Sequence, residues 1–101
     1  MRFVVLGLDG TDAEAPARRA AVRPAHLEAV KVIFEAGIFK YGGPLLDKDG
    51  NGIGSIMVVE YDSEEQLRAE FLPNEPFATQ GVWQTIHVYP HRCAPYFEPT
   101  T

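Results

Sequence analysis

Cysteine is almost absent from this chain. Cys93 is its one thiol, so no internal disulfide can form. No group of Cys, His and carboxylates has the spacing of a metal site, and none is expected. His87 and His91 stand four apart, but Pro90 lies between them and argues against a helix that would align them. Positive charge is also short: Lys and Arg total 9 against 14 Asp and Glu, for a net charge of -5. An acidic surface repels phosphate backbones, which argues against nucleic acid as a partner. No apolar run approaches the ~20 residues of a membrane helix. The apolar start, Phe3-Val4-Val5-Leu6, breaks at Gly7 and Asp9, too short for a signal-peptide core. No membrane partner and a cytoplasmic location are the expectation.

A chain of 101 residues that is 46% hydrophobic suits one domain. Residues 2–8 read as a β-former run, apolar enough for a central strand. An Ala-rich stretch, 13–21, carries Arg18 and Arg19 but is fragmented by Pro16 and Pro24. Pro24 suits the first turn of a main helix over 24–36, where its missing N–H costs little. Leu27, Val30, Ile33 and Phe34 form that helix's apolar stripe, and Gly37 ends it. A strand over 38–46, interrupted by Gly42-Gly43-Pro44, leads through Asp49-Gly50 and Asn51-Gly52 into a strand over 53–61. Ser63 and Gln66 form a capping box for a second helix, with Leu67 and Phe71 on its buried side. A short helical turn near Pro76-Phe77 precedes a last strand over 82–89, with Trp83, Thr85 and His87 on one face.

This order predicts an α+β fold of the ferredoxin-like βαββαβ type, with a four-stranded antiparallel sheet and both helices on one face. The other face then needs cover. Phe3, Met57, Trp83 and their neighbours are expected there, and a homodimer packing sheet against sheet would hide them. Residues 1–92 are read as the domain. Residues 93–101, with Tyr96 and Phe97, are read as a C-terminal tail that packs on something, such as a second subunit.

His26 is the first candidate for chemistry. Histidine can give or take a proton near neutrality. On the first turn of the main helix it would border the apolar stripe, where a side chain meets a sheet edge and a cleft. The plainer role is a helix-start histidine hydrogen-bonded to backbone. Arg23 could hold a substrate carboxylate through its fork, or remain a solvated surface residue. Ser55, after Gly54, could hydrogen-bond a ligand. It lacks the Gly-x-Ser-x-Gly surroundings of a nucleophile. Gly43 and Pro44 could shape a pocket wall. Glu75 is either a functional carboxylate or a helix-start residue favoured by the dipole.

Taken together, Val22-Arg23-Pro24-Ala25-His26-Leu27, Gly43-Pro44, Asp49-Gly50, Gly54-Ser55, Ser63-Glu64-Glu65, Pro76-Phe77 and Gly81-Val82 resemble the YciI family in order and spacing, across most of residues 2–92. The resemblance implies a dimeric ferredoxin-like α+β barrel and an enzyme whose pocket holds a histidine and an aspartate. The histidine falls on His26. The family's Asp-Pro-Phe/Tyr signature falls on Glu75-Pro76-Phe77, so this chain has Glu where Asp is usual, one methylene longer. The wider group includes a dehydrochlorinase, and the fold is similar to muconolactone isomerase, which implies proton transfer on small unsaturated acids. The expected function is a cofactor-free lyase or isomerase step on a small organic acid. His26 and Glu75 would be catalytic, and Arg23, Ser55, Gly43 and Pro44 would bind the substrate. The alternative is a non-catalytic metabolite-binding or accessory dimeric module.

Overall fold

The computed structural model describes residues 1–97. Strand β1 is Arg2–Asp9, helix α1 Ala15–Glu35, β2 Phe39–Leu46, β3 Gly52–Glu60, α2 Glu64–Glu70, α3 Pro76–Thr79 and β4 Trp83–His91, with a 3-10 turn at Leu72–Asn74. The strands form one antiparallel sheet in the order β2-β3-β1-β4. This is the α+β, ferredoxin-like arrangement expected from the order of elements. Of the expected tail, residues 98–101 lie outside the described residues. No helix among the described residues is long and apolar enough to cross a membrane.

The local signals act as their chemistry requires. Ser63 Oγ accepts from Gln66 N at 3.1 Å and caps α2. Gln66 Oε1 reaches back to accept from Asp62 N at 2.7 Å. Gly37 takes φ 77° just past α1, a conformation cheap only for glycine. In the β2–β3 hairpin Asp47 Oδ1 accepts from the backbone N–H groups of Asp49 and Asn51. The hydrogen bond from the Asn51 backbone N–H is the largest influence holding the Asp47 carboxyl below its ordinary pKa.

Alternation along the strands decides which face is covered. Phe3 and Val5 of β1, with Met57 and Val59 of β3, pack under the helices against Val22, Leu67, Phe71 and Phe77. Val4, Leu6, Leu8, Leu45, Ile56 and Val58 point the other way, where no helix among the described residues lies. The expectation that Phe3, Met57 and Trp83 need an outside partner is therefore corrected: all three are buried within this chain. Trp83 changes face because the β1–β4 register shifts between Leu8 and Asp9. The shift takes it off the side of Thr85 and His87 and into the core with Ile86 and Val88. Gly7 leaves room for the indole, since a Cβ there would lie 2.2 Å from it.

Helix α1 is the largest departure from expectation. It begins at Ala15, with Pro16 in its first turn, and runs through Pro24 without a break. Alanines at 17, 20, 21, 25 and 29 favour helix on both sides of the proline. The core-facing stripe is consequently not Leu27, Val30, Ile33 and Phe34, because Leu27 and Phe34 are exposed. It runs through Ala15, Val22, Val30 and Ile33, and at helical spacing it also takes in Arg19 and His26.

Candidate active site

His26 lies in the middle of α1, not on its first turn, and the reason is the continuous helix. Four residues after Val22 and four before Val30, it is aimed between helix and sheet. Its side chain is 12% exposed, and its Nδ1 lies 2.5 Å from Glu75 Oε1, which is 2% exposed. The two residues are 49 apart in the chain. The imidazole stacks on the Phe77 ring at 3.9 Å between centroids and 9° between planes. Trp83 meets it edge-on at 6.5 Å. Nδ1–H donated to the carboxylate sets the tautomer, and Nε2 has no partner among the described residues.

Glu75 does two things with one oxygen. It is the N-cap of α3, and Oε1 accepts from Phe77 N at 3.0 Å while also facing the imidazole. Both readings of this residue, helix-start carboxylate and partner of His26, describe the same atom. The cap fixes the carboxylate, and the carboxylate fixes the ring.

A second polar cluster stands beside the first. Arg19 Nη1 donates to Asp9 at 2.9 Å and 3.0 Å, and Nη2 donates to Ser55 Oγ at 3.0 Å. Trp83 Nε1 donates to the same Oγ at 3.3 Å. The Arg19 guanidinium lies over Phe77, 4.7 Å from its centroid, so one aromatic ring supports both the cation and the imidazole. Asp9 closes β1 and is not the loop residue its sequence neighbours, Gly10 and Thr11, suggest.

Between α1 and strands β2 and β3 lies a cleft of about 400 Å³, a size that suits a small metabolite. His26, Arg23, Ser55, Gly43 and Pro44 all line it, as do Arg19, Leu27, Phe39, Met57 and Phe77. Glu75 is behind the wall and reaches the cleft only through His26. Ser55 is buried, with its oxygen accepting from both Arg19 and Trp83. It is better placed to orient Arg19 than to grip a ligand. Arg23 is exposed at the cleft rim and makes no ion pair among the described residues. No group of three or more His, Cys, Asp or Glu side chains among the described residues could hold a metal ion.

Arg19 and Asp9 are absent from the sequence-derived candidates, and Phe77 and Trp83 read there as core or interface residues rather than ligand-stacking ones. A signal for Arg19 existed. With the helix started at Ala15, a charged residue on a stripe of Ala15, Val22, Val30 and Ile33 is out of place unless it has a buried partner. A helix that starts at Pro24 has no such stripe, because Ala15, Arg19 and Val22 then lie outside it.

Likenesses to known proteins bear on this arrangement. A family model described as the YCII-related domain matches residues 1–92. The derivative of benzaldehyde biosynthesis cluster protein C of Emericella nidulans is 39% identical over 77 residues, 69% of this chain and 78% of that protein. Protein YciI of Escherichia coli O6:H1 is 28% identical over 98 residues, 91% of this chain and 97% of its own length. Among solved structures, the 5-chloro-2-hydroxyhydroquinone dehydrochlorinase TftG of Burkholderia phenoliruptrix AC1100, in complex with 2,5-dihydroxybenzoquinone, superposes with a TM-score of 0.79. The two share 22% identity, over 95% of this chain and 98% of that one, a likeness of fold.

Proposed function

This chain belongs to the YCII-related domain family, and from that premise we propose that it is a small cofactor-free enzyme in which His26 moves a proton on a small organic acid, in a lyase or isomerase step. The observation that carries this reading is the 2.5 Å contact of His26 Nδ1 with the buried carboxylate of Glu75, beside a cleft. Nε2 takes a proton from an activated carbon of the substrate. In an elimination the C–H electron pair forms a double bond, and the leaving group departs with its own pair. In an isomerisation the imidazolium returns the proton to another carbon of the same molecule. Glu75 is a positioning residue: it holds the tautomer and sits beside the positive charge that the ring acquires. Phe77 keeps the ring plane fixed. A protein of this fold that is a dehydrochlorinase and holds 2,5-dihydroxybenzoquinone supports a small unsaturated ligand.

A homodimer joined through the open sheet faces is part of the same reading. Val4, Leu6, Ile56 and Val58 on that face support it, as does Tyr41, which is 74% exposed. The working domain is 1–92 with a tail from 93, and its compartment is the cytoplasm.

The test does not require the natural substrate. The protein is incubated in D2O with a panel of small unsaturated acids and with 2,5-dihydroxybenzoquinone, and carbon-bound hydrogen exchange is followed by NMR. The expected result is exchange into at least one compound with the native chain and none with His26→Ala, which stays folded by circular dichroism. Exchange by His26→Ala at the native rate rules out the assignment. Saturable binding without any exchange moves the protein to the class of binding modules.

A further inference from the structure

The cleft has the wrong sign of charge for this protein. The chain carries -5 overall, yet the residues lining the cleft include Arg19, Arg23 and His26 and no carboxylate. The two nearby acids are withdrawn from it. Asp9 is 5% exposed and grips Arg19, and Glu75 is 2% exposed and grips His26. Residues 19, 23 and 26 fall at i, i+4 and i+7 of α1, on one helical face. A row of basic groups along the cleft wall is therefore built into the helix.

Arg19 is the fixed member of the row. Its side chain is 11% exposed, and Nη1 and Nη2 are tied to Asp9 and Ser55. A guanidinium has five N–H donors. The Nε–H has no partner among the described residues, and the bond to Ser55 leaves the second Nη2 hydrogen free. Both donors belong to a planar fork held rigid at the cleft, the geometry that recognises a carboxylate or an enolate oxygen. Ser55 and Trp83 act one step back: the indole N–H and Arg19 converge on one hydroxyl oxygen, which orients the fork. Arg23 adds a charge at the rim that has no ion-pair partner among the described residues.

We infer that Arg19, oriented by Asp9 and Ser55 and assisted by Arg23, is an anion subsite of the cleft, and that its ligand is a small organic oxyanion whose apolar body lies along Phe39 and Met57. The inference deepens the proposed function by placing the charge of the organic acid at Arg19 and its reacting carbon at His26. The subsite itself rests on charge and geometry and is measured without turnover.

The probe is benzoate, compared with the neutral isostere benzamide, titrated into the full chain by isothermal calorimetry at low salt. Benzoate is expected to bind at least about tenfold more tightly than benzamide, the difference one charge-assisted pair supplies. Arg19→Gln is expected to erase that preference, and Arg23→Gln to weaken benzoate by a few-fold while keeping it. Because Arg19→Gln leaves Asp9 buried without its cation, the double variant Asp9→Asn/Arg19→Gln is the companion should the single one unfold. Equal affinity for the two probes, no benzoate binding at millimolar concentration, or unchanged benzoate binding in the Arg19 variants overturns the inference. Benzoate preference without hydrogen exchange keeps the subsite and removes the acid–base role. Exchange without benzoate preference does the reverse.

Discussion

At the scale of the residue, Glu75 bears the most. One carboxylate oxygen caps α3 and also faces the His26 ring, so its loss should be felt in folding and not only in chemistry. Removing a helix cap costs about 1 kcal/mol, and leaving a buried donor without its acceptor adds about 1–3 kcal/mol. Glu75→Ala is expected to lower the melting temperature by more than ~8 °C on the usual scale for a domain of this size, read by scanning calorimetry. Glu75→Gln keeps an oxygen at the cap and should recover most of that loss, while failing to restore exchange because an amide does not balance an imidazolium. A Glu75→Ala protein that melts with the native chain would show that the cap and the pair carry no weight. The role of this residue was partly legible: Glu before Pro at a helix start reads as a carboxylate favoured by the helix dipole. What the residue faces was not, because His26 lies 49 positions away.

At the scale of the element, α1 decides the site. A proline in a helix interior is about 3 kcal/mol less favourable than alanine, which is why a helix start at Pro24 was the natural reading. The structure instead carries the helix across it, leaving the Ala20 carbonyl without its usual donor four residues on. Pro24→Ala is thus expected to stabilise the fold by about 1–3 kcal/mol, the upper part of that range being reduced by the freer unfolded chain. A lower melting temperature for Pro24→Ala would mean that the proline favours the native helix. The strands and the hairpin were legible because their signals are local, as with Asp47 holding the turn through backbone amides two and four residues on. The face of Trp83 was not, because a register shift in the β1–β4 pair is a property of two strands together.

At the scale of the whole molecule, the open sheet face is where the proposed homodimer would join. Leu6 and Ile56 pair across β1 and β3 near its middle, with Tyr41 and Tyr89 exposed on the flanking strands. A charge at the centre of such a face opposes its burial against a copy of itself. The proposed dimer is expected to give way to a folded monomer in Ile56→Lys, read by sedimentation velocity at micromolar concentration, with an unchanged far-ultraviolet spectrum. A native chain that sediments as a monomer at these concentrations refutes the sheet-to-sheet reading outright. That the strands are apolar beyond one face was legible in the sequence. Which residues stand on the open face was not, since the helices had already claimed Phe3, Met57 and Trp83.

The amino-acid order alone determined the succession of strands and helices, the caps and the hairpin, and with them the ferredoxin-like α+β class, because each depends on contacts between near neighbours. Only the tertiary structure decided that one helix would run through Pro24, that Glu75 would meet His26 and that Arg19 would meet Asp9 and Ser55. Those contacts join segments 10 to 49 residues apart. They depend on the face each element turns toward its neighbours, and that is settled only when sheet and helices pack.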